Sequence, residues 1–98
     1  MGGILREVQQ MKYSKVTLRT FYNLHGEYMR FDSNPLNNQT YENVEVEFKE
    51  KTRTICGIDF VEDVVEIEGQ EPIECELVGT YHEPESDTLI IKICQDWG

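Results

Sequence analysis

From Thr54 to Ile91 the chain contains no lysine and no arginine, although eleven aspartates and glutamates fall in the same stretch. That lack argues against direct nucleic-acid binding, which needs Lys and Arg to displace counterions from phosphate. Anionic membranes are disfavoured by the same sign of charge. No apolar run approaches membrane-spanning length, so no membrane role is expected. Cysteine is scarce and odd in number, with Cys56, Cys75 and Cys94. With no C-x-x-C pair, no H-x-x-x-H spacing and no secretory pattern, reduced thiols, a cytoplasmic location and no zinc site are expected. Their even nineteen-residue spacing is not accompanied by a repeat.

Catalytic signatures are missing as well. There is no G-x-S-x-G, no P-loop and no dinucleotide fingerprint. Glu83-Pro84-Glu85-Ser86-Asp87 begins like a calcium loop, but Thr88 stands where the sixth-position glycine belongs and Cys94 where the twelfth-position carboxylate belongs. Carboxylates on an open sheet face also lack the contrasting environments that separate a general acid from a general base. No cofactor, no metal and no enzymatic activity are expected.

What the chain does have is periodic hydrophobicity and unevenly placed charge. Its 98 residues suit a single domain, 1–98, and a hydrophobic share of 39% supports a folded core despite the net charge of −10. Residues 1–41 carry +2, residues 42–87 carry −12, and residues 88–98 balance at zero. Such asymmetry sets up a directional field that favours a cationic partner.

Ile4, Leu5, Val8 and Met11 share a helical stripe, which predicts a short N-terminal helix over residues 3–12, a possible appendage. The period then becomes two. Val16, Leu18, Thr20, Tyr22 and Leu24 alternate with Lys15, Thr17, Arg19, Phe21 and Asn23 up to a His25-Gly26 turn. Pairing Leu24 with Glu27 sets Tyr22 opposite Met29 and Thr20 opposite Phe31 on an apolar side, with Phe21 opposite Arg30 on the other. A polar loop follows at residues 33–40. Further strands are expected around 44–49, 52–60 (with Gly57 as a bulge), 64–68, 73–81 and 89–94. The last is apolar on both faces except for Lys92, which suits a central position. The expected fold is mostly β (a β-rich α+β chain), a small antiparallel barrel or sandwich of about seven strands with the N-terminal helix. Cys56 and Cys75 read as core thiols, and Trp97 as a side chain folded back on the barrel.

Alternation also gives the acids a direction. Val65 and Ile67 point inward, so Glu66 and Glu68 point outward; Ile73, Cys75 and Leu77 point inward, so Glu74 and Glu76 point outward. If these two strands pair, Glu66 faces Glu74 or Glu76, and only Lys92 on a neighbouring strand could offset the patch. Glu62 and Asp63 lie at one end, and Glu83, Glu85 and Asp87 extend it into a loop. Like charges opposite one another destabilise a sheet by up to ~1 kcal/mol per pair, a cost that a binding surface justifies better than solubility does. In size, acidity and strand content the chain resembles the class of inhibitors that includes phage anti-restriction and anti-CRISPR proteins. That likeness is one of charge and size and carries over no individual residue. It implies a non-enzymatic inhibitor whose acidic face imitates phosphate and occludes a basic protein groove, including one on a nucleic-acid-binding protein. The alternative is a structural or assembly β-module of a virion or multiprotein complex.

Overall fold

The computed structural model of the chain describes residues 10–95, in which there are six strands and no helix. These are β1 (Gln10–Leu24), β2 (Glu27–Arg30), β3 (Thr40–Ile55), β4 (Ile58–Ile67), β5 (Ile73–Glu83) and β6 (Thr88–Cys94). Among the described residues there is no helix long and apolar enough to cross a membrane.

β1, β3, β4, β5 and β6 form a meander in which each strand runs antiparallel to the next. An odd number of such strands leaves the first and last pointing the same way. The seam that closes the barrel, from Lys15↔Thr88 to Phe21↔Cys94, is accordingly parallel. β2 lies outside this closure and pairs only with the end of β1.

The core follows the period-two pattern. Val16 and Leu18 of β1, Val46 of β3, Val65 and Ile67 of β4, Ile73 and Cys75 of β5, and Leu89, Ile91 and Ile93 of β6 meet inside the barrel. β6 lies between β5 and β1, as its two apolar faces suggest, with Lys92 exposed. Burial pushes the Cys75 thiol up to about 12, and the nearby Asp63 carboxylate adds to the effect. The polar loop after β2 covers one barrel end. There Asn34 is buried, its Nδ2 donating to Gln95 Oε1 at 3.0 Å, and Asn37 Oδ1 accepts from the Thr20 N–H at 3.1 Å.

The structure corrects several expectations. Gln10, Met11 and Lys12 are in β1, so the helix expected over 3–12 does not reach that far; the rest of it, residues 3–9, lies outside the described residues, as does Trp97. There are six strands rather than seven, because Gly57 is not a bulge. Cys56 (φ 54°) and Gly57 (φ 79°) form a two-residue turn between Ile55 and Ile58, joining the expected third and fourth strands differently. Cys56 is therefore exposed rather than in the core.

The β1–β2 register is as expected: Leu24↔Glu27, Tyr22↔Met29 and Phe21↔Arg30. Its apolar side is not core, however. Tyr22, Leu24 and Met29 are all exposed, because the hairpin runs past the barrel, and Tyr22 meets Phe31 edge to face at 5.9 Å. The β3–β4 hairpin also projects, with every residue from 48 to 61 exposed. These two arms account for a Cα radius of gyration of 14.6 Å, against about 13 Å for a compact domain of 100 residues.

Candidate functional site

β4 pairs with β3 along its full length, from Val46↔Ile67 to Ile55↔Ile58, which sets a row of alternating side chains on the outer face. From β3 this row holds Glu47, Lys49, Lys51 and Arg53. From β4 it holds Glu66, Val64, Glu62 and Phe60. β5 adds Glu74 opposite Val64. Glu66 thus faces Glu47 of β3, and neither Glu74 nor Glu76, because the β4–β5 ladder covers only Asp63–Val65 against Ile73–Cys75.

Nor is Lys92 the counter-charge. Lys49 Nζ lies 3.0 Å from Glu66 Oε1 and 3.9 Å from Glu47 Oε1, bridging the like-charged pair. Lys51 Nζ is 3.0 Å from Glu74 Oε2, while Arg53 Nη2 is 2.6 Å from Glu74 Oε1 and 3.4 Å from Glu62 Oε2. The hydrogen bond from Lys51, and then the charge of Arg53, hold the Glu74 carboxyl below its ordinary value. The hydrogen bond to Glu66 correspondingly raises Lys49. Cations sit just ahead of the base-free stretch in sequence, and the β3–β4 hairpin folds them back onto it. The middle of the supposed acidic face is therefore a neutralised stripe.

The acids named from the sequence separate into three groups. Glu62, Asp63, Glu74 and Glu76 line a groove of about 710 Å³, together with Ile55, Phe60, Val61, Cys75 and the single cation Arg53. Glu66 and Glu68 line a smaller recess of about 330 Å³ with Glu45 and Glu47. Glu68 also has a structural part there, its Oε1 accepting the Glu45 N–H at 3.0 Å. Glu83, Glu85 and Asp87 lie at the far end of β5. Asp87 is tied into the barrel seam by the Ser14 N–H at 2.9 Å and by His82 Nε2 at 2.8 Å. Among the described residues no three His, Cys, Asp or Glu side chains come together as metal ligands.

The larger groove is the best-developed site. One wall is the β4 edge of the β3–β4 arm, with residues of both its faces, and the other is β5 with Cys94 and Gln95 at the end of β6. Asp63 opens it: its Oδ2 accepts the Leu77 N–H at 2.8 Å, which takes the position where the β4–β5 ladder would continue. Tyr28 of β2 reaches the rim and donates its hydroxyl to Glu76, and that bond raises the phenol's pKa.

Reasoning from sequence missed Ile55, Phe60 and Val61 because it put a bulge at Gly57, and missed Arg53 because it looked to Lys92 alone for a counter-charge. A turn read at Cys56-Gly57 would have supplied both.

No protein-family model, curated protein or solved structure matches this chain.

Proposed function

We propose that this chain is a non-enzymatic binding protein that docks onto a basic protein surface. The observation that supports it best is the groove beside the β3–β4 arm, whose lining has four carboxylates, Glu62, Asp63, Glu74 and Glu76, against one cation, Arg53, with Lys51 offsetting Glu74 from outside it. A low-dielectric wall of Ile55, Phe60 and Val61 strengthens the field of those carboxylates. The net charge of −10 excludes most anionic partners by repulsion. A nucleic-acid-binding groove is lined with the lysines and arginines that phosphate contact needs, which makes it a fitting cationic surface. Occlusion of such a groove, in the manner of anti-restriction and anti-CRISPR inhibitors, is the function we favour.

The test is capture from a lysate on the immobilised chain at rising salt. Bound protein should elute with salt or duplex DNA, and a Glu62→Lys, Glu76→Lys variant, both residues lining the groove, should capture less of it. Capture indifferent to salt, DNA and charge reversal would reject this function. It would favour a second reading, an assembly module, for which the exposed Ile55, Ile58, Phe60 and Val61 of the arm speak.

A further inference from the structure

The β3–β4 arm has a backbone edge that its own barrel does not use. β4 pairs with β3 from Ile58 to Ile67 but with β5 only at Asp63–Val65. In a hairpin closed by a two-residue turn, hydrogen-bonded and non-hydrogen-bonded pairs alternate from the closing pair outward. Counting from Ile55↔Ile58, the pairs Thr54↔Asp59 and Thr52↔Val61 are of the non-hydrogen-bonded kind. The N–H and C=O of Asp59 and Val61 therefore point away from β3. Asp63 and Val65, of the same parity, use theirs toward β5. At the next position the matching strand group, the Leu77 N–H, is already taken by the Asp63 carboxylate. The backbone groups of Val61 are left aimed into the groove, and the residue is 62% exposed.

We propose that this groove binds an extended, basic segment of a protein partner, which adds as a strand to the Asp59–Val61 edge of β4. This rests on the basic-partner reading and specifies how that partner is held. Unused edge groups supply main-chain hydrogen bonds, the physics of strand addition. The occupant is set by charge: Glu62, Asp63, Glu74 and Glu76 line the groove against Arg53, and with Lys51 counted beside Glu74 the balance stays negative, so alternate Lys or Arg side chains are favoured. A second copy of this chain is disfavoured by its own acidity.

The probe is a synthetic alternating Lys–Val heptapeptide, compared with an alternating Glu–Val peptide by fluorescence anisotropy. The Lys peptide should bind more tightly, and more so at low salt. Two N-methylated versions, one blocked at the lysines and one at the valines, separate strand addition from loose electrostatic attachment. One of them should lose about tenfold or more in affinity and the other should not, because only alternate amides face β4. Val61→Pro removes a donor that β3 does not use and should weaken the peptide by a similar factor relative to Val61→Ala. Equal binding of both N-methylated peptides, or of Val61→Pro and Val61→Ala, would overturn strand addition while leaving the basic-partner reading intact. Equal binding of the Lys and Glu peptides would overturn both.

Discussion

Asp87 shows how much one carboxylate can be bound into a fold. Its Oδ2 accepts from the Ser14 N–H and, at 3.0 Å, from the Ser14 hydroxyl, while Oδ1 meets His82, whose ring lies edge-on to Tyr13 at 5.5 Å. The His82 hydrogen bond first, and then the two from Ser14, hold its carboxyl below the usual value. A depressed folded pKa means that the native state binds fewer protons there than the unfolded chain. The resulting stability is complete above the ordinary carboxylate range and is lost as pH falls through the folded value. Asp87→Asn should therefore lower Tm at about pH 7, and the gap from the parent should close toward about pH 3. A gap constant across thermal melts at both pH values would refute the clamp. A count of acids along the sequence could not distinguish Asp87 from Glu85, because its partners come from β1 and β5.

At the scale of elements, the two projecting hairpins differ in how legible they were. His25-Gly26 and Cys56-Gly57 have the same geometry, with positive φ at both central residues. The first was readable because matched side chains on either side fix its register. The second was obscured by a cysteine in a left-handed position that Asn or Asp more often fills. Gly57 carries the requirement, with φ 79° and open space around an added Cβ, so any cost of substitution is conformational. Gly57→Ala should destabilise by about 1 kcal/mol, a fall in Tm of roughly 4–8 °C for a chain of this size. Gly79→Ala, where φ is ordinary and nothing crowds the added methyl, is the control and should stay within about 0.5 kcal/mol. Equal melts for the two variants would show that the turn does not depend on glycine.

Across the whole molecule, charge works against compactness. Lys49, Lys51 and Arg53 neutralise the middle of the outer face, but residues 42–87 still carry −12 in all. Exposed ion pairs gain little net stability, whereas the excess of one sign repels itself throughout the barrel. Raising salt from about 0.01 M to about 1 M should therefore raise Tm, as the Debye length shrinks from about 30 Å to about 3 Å. A Tm that falls with salt would mean that the ion pairs outweigh the repulsion.

The β class, the inward set Val65, Ile67, Ile73 and Cys75, the outward set Glu66, Glu68, Glu74 and Glu76, and the β1–β2 register were all readable from the amino-acid order. All of these follow from strand alternation, a local property of the backbone. That Glu66 faces Glu47, that β3 supplies the cations, and that the Asp63 side chain ends the β4–β5 ladder emerged with the closed barrel. Those outcomes depend on which strands become neighbours when the barrel closes, and period-two patterning carries no information about that.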